Sequence, residues 1–494
     1  MKNPRSFQER KLTGAHWFWF LAILGLVTRI PLLGLNTAET TDGVWSLTYF
    51  SPAFLPNDRF VIFPGYPFIL YLAEKLGVGG WYFGRLVSAL AGIFFLIPLW
   101  KFSRRWMSLD MSGIVCAMAL FSPLLWQWSL KVMPDVFFLL FFWLCLERLA
   151  AWELEQKQTA WVVGNLSAAV AACTRPEGYL LFPWVLILAE KWESGSKWVR
   201  RLWLAAAWAG PALLLKPKIL TIIDAYREGL GLNSGPQSAN IPLLNFMEHL
   251  YAYLAQPVYI FTPLVYWFAI LGLGKMVRRK EQEGSIFRGV ILQVYAVLFI
   301  SRLFPTGYQD RYLLPYLPLL TVAAGVHLES FFEHWKNKKN PIKHMFLKNG
   351  LLVFCLAWLT LYSAASLISQ NDSFGDVKRS SEFLKTLPPN AVLFSDEIQK
   401  TQFWSGRKPI PVVLPFVPPK GCYVVLHSCY TPRINFVSEN MKRRFGAEII
   451  RQDYSMVVPI LTDLMQEQNF QNRVAATAFR FQPQFFQTLV FHVK

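Results

Sequence analysis

The chain has 494 residues, of which 54% are hydrophobic and only 16% are charged. A soluble protein carries roughly a quarter charged residues, so this composition excludes an ordinary soluble enzyme. Runs of roughly 17–25 apolar residues, long enough to cross the hydrocarbon core of a bilayer, recur along the sequence. They predict a polytopic α-helical membrane protein. The first run is too long for a removable signal peptide and lacks a small-residue cleavage site.

The net charge of +18 has a membrane explanation rather than a nucleic-acid one. Lys and Arg concentrate in alternate connecting segments, such as Lys275-Met-Val-Arg-Arg-Lys and 336–348, and are sparse in the segments between. This alternation follows the positive-inside rule. It predicts a multi-pass protein of the cell (inner or plasma) membrane with a cytoplasmic amino terminus. No nucleic-acid partner is expected, because a nucleic-acid surface needs no such alternation.

The apolar runs predict about eleven transmembrane helices. They lie near 17–35, 81–100, 112–126, 136–150, 160–173, 178–190, 202–215, 256–273, 288–303, 311–328 and 350–368. Together they define a predicted membrane domain at 1–369. Its longest exterior loops are at about 36–80 and 216–256, and long ordered loops on one face of a bundle usually build a site.

The composition changes near Asn371, after which no run of membrane length occurs. Short strand-like runs begin at Ala391, Pro411 and Cys422, and helical stretches at 376–387 and 436–445 lie before and after them. This alternation predicts a small soluble α/β domain at 370–494. By span parity the domain is extracytoplasmic. Its Cys422 and Cys429 are compatible with a disulfide in an oxidising compartment and equally with buried free thiols.

Two acidic residues follow the first predicted span directly. Glu39 and Asp42 are three positions apart, so they share a face on a helical turn. A carboxylate at the membrane surface can accept a proton from an attacking hydroxyl or hold a divalent cation. The alternative is structural, with Thr-Thr-Asp-Gly capping a loop helix.

Asp135 is the second acidic candidate, in Lys131-Val-Met-Pro-Asp at the outer end of the fourth predicted span. A carboxylate at the margin of a membrane span is costly and is commonly functional. The alternative is again helix initiation, with Pro134 and Asp135 opening the helix.

Basic residues on the exterior face are the candidates for binding a phosphate, because the positive-inside rule disfavours them there. Arginine offers a planar fork of donors suited to phosphate oxygens. The predicted phosphate-binding set is Arg311 with the nearby Tyr308, Arg175, Lys131 and Arg59. The alternative is that these side chains anchor the protein at the interface or form local ion pairs, such as Arg311 with Asp310.

The sequence contains no His/Cys metal cluster, no phosphate-cradling glycine loop and no nucleotide fingerprint. The predicted chemistry therefore does not draw on cytoplasmic nucleotides.

Several segments, in this order and with this sidedness, resemble the polyprenyl-phosphate-dependent GT-C glycosyltransferases. The similarity is to the bacterial branch, glycosyltransferase family 39, related to protein O-mannosyltransferases and aminoarabinose transferases, and it covers most of 17–330. The segments are Arg29 to Gly43, Phe63-Pro-Gly-Tyr-Pro-Phe-Ile-Leu-Tyr, Gly84-Arg-Leu-Val-Ser-Ala-Leu-Ala-Gly, Ser122-Pro, Asp135, Thr174-Arg-Pro-Glu-Gly and Asp310-Arg-Tyr-Leu-Leu-Pro-Tyr-Leu-Pro.

The resemblance implies roles for the acids. In such enzymes the first exterior loop supplies the catalytic acid residue, which here is Asp42, with Glu39 in reserve. The family often has two adjacent acids at this point, whereas this chain has Asp42-Gly43. The second acidic position corresponds to Asp135. If the reaction uses a divalent cation, Mg²⁺ or Mn²⁺, Asp42 and Asp135 are its predicted ligands.

The implied activity is transfer of a hexosyl- or pentosyl-type sugar from a polyprenyl-phosphate donor to an acceptor hydroxyl on the extracytoplasmic face, with inversion. The acceptor class stays open between lipid, glycan and protein. The main alternative is a transporter or flippase for a lipid-linked saccharide, but that function places ionisable residues near mid-membrane, and here the acids cluster at one face. A third interpretation is a non-catalytic receptor or assembly factor that works through its carboxy-terminal domain.

Overall fold

A computed structural model describes most of the chain. The described residues are 4–35, 40–51, 63–190, 197–229, 265–278, 288–296, 310–336, parts of 349–367, 375–412, 416–427, 434–457 and 484–494. Glu39, Arg59, Tyr308 and Cys429 lie outside them, as does most of the predicted loop at 216–256.

The chain divides into two compact units. The first comprises Met1–Leu32, Asn57–Gly79 and Phe83–Ala364. The second comprises Leu33–Pro56, Gly80–Tyr82 and Ala365–Lys494. The second unit therefore combines part of the first predicted exterior loop with the carboxy-terminal residues, which are called the tail domain from here on.

The first unit is helical throughout its described residues. Its helices are α1 (Pro4–Arg29), α3 (Gly65–Lys75), α4 (Trp81–Phe94), α5 (Leu96–Ser103), α6 (Leu109–Leu120), α7 (Pro123–Ser129), α8 (Pro134–Glu155), α9 (Gln158–Thr174), α10 (Leu181–Glu190), α11 (Lys197–Gly229), α12 (Val265–Val277), α13 (288–296) and α14 (Leu317–Lys336), while α2 (Thr41–Thr48) belongs to the second unit. Single 3₁₀ turns occur at Ile30–Gly34, Pro176–Leu180 and Asp310–Leu313.

One helical stretch in the described part of the chain, Trp81–Ser103, is long and apolar enough to cross a membrane. The pair α6 and α7, bent by 56°, forms a second if it is counted as one broken span. Helices α8, α9, α11 and α14 also overlap predicted spans, but they do not meet the same criterion of length and apolarity. The predicted number of eleven remains an expectation.

The bend between α6 and α7 is held by a buried arginine from α1. Arg29 donates from Nη2 to the carbonyl of Leu120 at 2.8 Å and from Nε to Ser129 Oγ at 3.0 Å. Its guanidinium also lies 5.8 Å from the ring centroid of Trp126. Because Pro123 cannot donate a backbone hydrogen bond to the preceding turn, the break is built into the sequence, and Arg29 satisfies one of the carbonyls it exposes.

The tail domain contains a five-stranded mixed sheet of order β2-β1-β3-β5-β4. The strands are β1 (Leu393–Ser395), β2 (Ile410–Pro411), β3 (Tyr423–His427), β4 (Ala447–Val457) and β5 (Gln484–Val493). Strand β1 is parallel to β2 and β3, whereas β5 is antiparallel to β3 and β4. Side chains from β3 and β5 form the centre of its core, including Val424, Leu426, Leu489 and Phe491.

Three helices accompany this sheet: α15 (Gly375–Phe383), α16 (Ile398–Ser405) and α17 (Ile434–Phe445). Helix α16 follows β1 directly and contacts α15. It also contacts α2, the helix of the first predicted exterior loop, within the same compact unit. The tail domain and the segment that carries Asp42 are therefore packed together.

Candidate active site

Asp135 and Arg175 form an ion pair in the first unit. Asp135 lies in the first turn of α8, and its carboxylate Oδ1 accepts a hydrogen bond from Arg175 Nη1. The aspartate side chain is only 2% exposed. No side-chain cap is formed at this helix start, where Met133 is the N-cap residue. Pro134 and Asp135 do open α8, as the structural alternative expects, and the Asp135 carboxylate in addition binds an arginine.

A second carboxylate completes the coordination of Arg175. Glu177 Oε1 accepts from Arg175 Nη2 at 2.7 Å, and its Oε2 accepts from Nε at 3.0 Å. Burial alone would lower the pKa of Arg175, but the charges of Glu177 and Asp135 outweigh it and hold that pKa above its ordinary value. Arg175 thus carries a permanent charge that two acidic side chains already balance.

The turn that carries Arg175 and Glu177 is set by a close backbone approach. Gly178 packs onto the last turn of α9, and a Cβ atom added there would lie 2.4 Å from the backbone carbon of Ala171 and the backbone nitrogen of Ala172. Only glycine fits such a contact without displacing the backbone. The short turn therefore requires Gly178 in order to place both charged side chains.

Arg311 approaches the same aspartate from another element. Its Nε lies 4.0 Å from Asp135 Oδ1, at the limit of an ion pair. Its guanidinium carbon lies 5.4 Å from the ring centroid of Tyr312, and that of Arg175 lies 5.3 Å from the same ring. The Tyr312 ring is thus shared by two guanidinium groups, a cation–π arrangement that favours keeping both cations in place.

Lys131 adds a third cation through a second aromatic ring. Its Nζ lies 4.6 Å from the ring centroid of Trp128, and the guanidinium carbon of Arg311 lies 5.7 Å from that ring. Three basic side chains and two carboxylates therefore meet around two aromatic rings. These three basic side chains are the donors that an anionic ligand would meet at this place.

Buried hydrogen bonds position the segments that carry these groups. Tyr66 is within 2.9 Å of Ser88 Oγ, and Ser88 donates to the carbonyl of Met133 at 3.3 Å, just before Asp135. Trp143 of α8 donates from Nε1 to the carbonyl of Pro315 at 3.1 Å, which ties the Arg311 segment to α8. The basic cluster is therefore built on fixed backbone.

Asp135 retains one acceptor that the described residues do not satisfy. Its Oδ2 is buried and has no hydrogen-bond partner among them. A divalent cation fits poorly at this oxygen, because the guanidinium groups of Arg175 and Arg311 lie beside the same carboxylate. No cluster of three or more His, Cys, Asp or Glu side chains able to hold a metal occurs in the described parts of the chain.

Asp42 lies in the second compact unit, half-buried in the first turn of α2. Thr40, rather than Asp42, caps this helix, since its side chain accepts from the backbone nitrogen of Gly43 at 3.1 Å. Ser46 donates to the carbonyl of Asp42 at 2.9 Å. The capping alternative is therefore met by the side chain of Thr40.

The sequence-predicted site residues are thus distributed unequally. Asp135, Arg175, Arg311 and Lys131 come together, while Asp42 belongs to the other unit and Glu39, Arg59 and Tyr308 lie outside the described residues. Three participants were not predicted: Glu177, Tyr312 and Trp128. Each lies within three positions of a predicted basic residue in the sequence. This proximity was the feature of the sequence that could have identified them as site residues.

Solved structures with similar folds provide an independent comparison. ArnT from Cupriavidus metallidurans bound to undecaprenyl phosphate matches with a TM-score of 0.58 and 13% identity, covering 89% of this chain and 96% of that chain. The oligosaccharyltransferase AglB from Archaeoglobus fulgidus, in complex with an inhibitory peptide and a dolichol-phosphate, matches with a TM-score of 0.54 and 10% identity. That match covers 81% of this chain and 64% of AglB.

A further structure of the Archaeoglobus fulgidus enzyme, in complex with Zn and sulfate, gives a TM-score of 0.51 at 11% identity, covering 83% of this chain and 67% of that chain. No protein-family model matches the sequence, and no curated protein matches it. At these identities the similarity establishes the fold. The chain therefore shares the fold of ArnT and AglB.

Proposed function

We propose that this chain is an integral-membrane glycosyltransferase that moves a sugar from a polyprenyl-phosphate donor to an acceptor hydroxyl on the extracytoplasmic face, with inversion. The observation that carries this proposal is the basic cluster of Arg311, Lys131 and Arg175 around Trp128 and Tyr312. It offers an anionic ligand three basic side chains in a largely buried setting.

The identity of the donor follows from chemistry and from the similar folds. Outside the cytoplasm there is no pool of nucleotide sugars, so a lipid carrier is the expected source of an activated sugar. ArnT was solved with undecaprenyl phosphate and AglB with a dolichol-phosphate. Both ligands pair a long apolar chain with one phosphate, which suits a membrane fold that carries an arginine and lysine cluster.

The reaction is a single displacement. The acceptor hydroxyl oxygen forms a bond to C1 of the sugar while the bond from C1 to the phosphate oxygen breaks, and polyprenyl phosphate departs with the bonding electrons. Asp42 takes the hydroxyl proton as general base. Arg311 and Lys131 stabilise the negative charge that grows on the leaving phosphate.

Asp135 and Arg175 have a supporting role in this proposal. Arg175 donates to two carboxylates, Asp135 and Glu177, so fewer of its N–H groups are available to a phosphate. Asp135 orients both guanidinium groups, because its Oδ1 lies next to each of them. This role differs from the catalytic and metal-binding roles that the sequence resemblance implies for Asp135.

The membrane orientation is part of the proposal. The distribution of Lys and Arg places the amino terminus in the cytoplasm and the first exterior loop with the tail domain outside. The contact between α2 and α16 supports this arrangement, because helices that touch each other outside the bilayer must lie on the same side of it.

A donor-turnover assay tests the proposed function. The full-length protein, reconstituted in lipid nanodiscs, is incubated with undecaprenyl-phosphate sugars carrying hexoses, pentoses or aminopentoses and with a bacterial envelope lipid and glycan extract as acceptor. Release of undecaprenyl phosphate with sugar incorporated into the extract supports the proposal. A flippase would instead move the intact donor across a sealed vesicle without releasing undecaprenyl phosphate, and that result would reject the transferase function.

A further inference from the structure

Helix α2 depends on its surroundings for its conformation. It has only eight residues, and isolated helices shorter than about 12–15 residues are marginal in water. Its buried side chains include Val44, Trp45 and Thr48, with Trp45 8% exposed. Trp45 lies three positions after Asp42, so the two residues share a helix face. Whatever packs against α2 therefore sets the direction of the Asp42 side chain.

Helix α16 of the tail domain is the natural support, since it contacts α2 within the same compact unit. Two of its faces are already engaged inside the tail domain. Thr401 lies 2.9 Å from Ser395 Oγ at the end of β1, which fixes one face against the sheet. Lys378 of α15 places its Nζ 4.6 Å from the ring centroid of Trp404, which fixes a second face.

The remaining face of α16 carries Gln399, Gln402 and Phe403. At 100° per residue these three positions lie opposite the arc between Thr401 and Trp404. Gln402 is buried and the other two are half-buried, so neighbouring residues cover much of this face. This is the face that we assign to the contact between α16 and α2.

We infer that the tail domain is a working part of the transferase, in which α16 holds α2 so that Asp42 is correctly placed for proton transfer. Phe403 and Trp45 are positioning residues on the two sides of this contact. The inference rests on the proposed role of Asp42 as general base. It assigns the tail domain a role in the chemical step, whereas the basic cluster that binds the donor phosphate belongs to the other unit.

The position of the Asp42 carboxylate must be accurate, because a general base works only within hydrogen-bond distance of the proton that it accepts, about 2.6–3.2 Å. A misplacement of about 1 Å can reduce the rate on the order of a hundredfold. A loosened α2 should therefore slow turnover while leaving the affinity for the lipid phosphate unchanged.

The test compares Phe403→Ala with Trp404→Ala in the full-length protein in nanodiscs. The two rings are adjacent on α16, but Trp404 faces α15. Three quantities are measured for each variant: hydrogen exchange of amides 41–48, the Kd for undecaprenyl phosphate, and turnover per folded molecule with the donor that the unmodified protein uses. Phe403→Leu provides a milder variant if the alanine variant does not fold.

We expect Phe403→Ala to accelerate exchange in α2 and to lower turnover about ten- to a hundredfold, with the Kd for undecaprenyl phosphate within about twofold of the unmodified value. Trp404→Ala should leave the exchange of α2 unchanged. Unaltered exchange in α2, or unaltered turnover despite faster exchange, would overturn the inference. If the proposed function itself is wrong, the unmodified protein will release no undecaprenyl phosphate. That result is distinct from a change in α2 exchange or in the turnover of a variant.

Discussion

Arg175 and Asp135 are joined by a hydrogen bond from Nη1 to Oδ1 although 40 positions separate them in the sequence. The pair connects the end of α9 to the beginning of α8, and both side chains are largely buried. Because Arg311 reaches the same oxygen from a third element, one carboxylate organises two arginines. The basic cluster is therefore an assembled tertiary feature, and its parts should be energetically coupled.

This coupling is measurable with a double-mutant cycle of Asp135→Ala and Arg175→Ala. Each single change removes one of two partners of a buried charge, since Arg175 keeps Glu177 and Asp135 keeps Arg311, and should cost less unfolding free energy than the about 3–5 kcal/mol of a buried charge left unpaired. The double variant should lose less than the sum of the two, with a coupling energy on the order of 0.5–3 kcal/mol. Denaturant unfolding of the detergent-solubilised protein provides the measurement.

The matched control for that cycle is the pair of Glu155 and Lys157. Their side chains are 41% and 67% exposed, and the Nζ to Oε2 distance is 2.6 Å. Exposed pairs of this kind contribute about 1 kcal/mol or less. If the changes at Asp135 and Arg175 are simply additive, the two residues do not act as a pair.

Asp42→Asn should abolish the proposed transfer with little effect on folding. Asn is nearly isosteric and keeps the helix start, which depends on Thr40, but it cannot accept the proton. Loss of a general base typically costs about 10²–10⁴ in rate. The readout is release of undecaprenyl phosphate per folded molecule.

The control for Asp42 is Asp110→Asn, since Asp110 also lies in the first turn of a helix, α6, and is exposed. It should retain turnover close to that of the unmodified protein. Full activity of the Asp42→Asn variant would remove this residue from the mechanism.

Much of the architecture was accessible from the sequence, and the reasons are specific. The segments from Arg29 to Asp310-Arg-Tyr carry the GT-C resemblance, and the fold they imply is confirmed. Helices occur at predicted spans because long apolar runs satisfy their backbone hydrogen bonds internally. In the tail domain, the apolar runs at Ala391 and Cys422 overlap β1 and β3.

The long ribbon of β4 and β5 was not predicted. Strand β4 is an edge strand whose centre reads Arg451-Gln-Asp-Tyr, so a search for apolar runs passes over it. Its residues alternate between faces, and Arg451 pairs with Asp453 two positions on, at 2.8 Å. The sequence feature that indicates β4 is the alternation of its side chains between the two faces of the sheet, because the strand is not an apolar run.

The partners within the basic cluster were also beyond prediction. Arg175, Arg311 and Lys131 could be identified individually, because positive charge on the exterior face needs a reason. Their partners depend on how α8, α9 and the segment before α14 pack. This packing brings Glu177 and Asp135 to Arg175. It also places the Tyr312 ring beside both Arg175 and Arg311. The contact between α2 and α16 likewise joins distant parts of the chain.

Gly178→Ala should disrupt the turn that presents Arg175 and Glu177. The added Cβ would lie 2.4 Å from two backbone atoms of α9. These atoms cannot shift without distorting the helix. We expect a reduced yield of folded protein and a lower thermal midpoint in detergent. Gly210→Ala is the control, because a Cβ there meets nothing within 4 Å, and alanine in a helix is favoured over glycine by about 1 kcal/mol. Equal behaviour of the two variants would contradict the packing described for Gly178.

The membrane orientation predicts the outcome of reporter fusions. Reporters placed after Lys280 and Lys343 should be active in the cytoplasm, because both positions follow clusters of basic residues. Reporters after Leu230 and Gln399 should be active on the opposite side. A paired alkaline phosphatase and green fluorescent protein series measures each position twice with opposite signals. An exterior signal at Lys280 would invert the arrangement and move the proposed site to the cytoplasmic face.

Arg311 provides the sharpest test of phosphate binding. Its guanidinium lies beside Trp128 and Tyr312, and its Nε is 4.0 Å from Asp135 Oδ1. If it grips a phosphate through two parallel hydrogen bonds, a lysine of equal charge cannot replace it. Arg311→Lys should therefore bind undecaprenyl phosphate more weakly, and Arg311→Ala more weakly still. A charge-assisted hydrogen bond contributes roughly 1.5–3 kcal/mol, equivalent to a loss of about ten- to more than a hundredfold.

An interfacial anchor would behave differently from a phosphate ligand. Lysine would then substitute freely, and alanine would lower the amount of inserted protein rather than the affinity per folded molecule. Arg104→Lys is the matched control, because Arg104 is exposed at the end of α5 and lies on the predicted cytoplasmic face. Isothermal titration with undecaprenyl phosphate in nanodiscs compares the three variants directly. Unmodified affinity in Arg311→Lys would show that the bidentate grip does not exist.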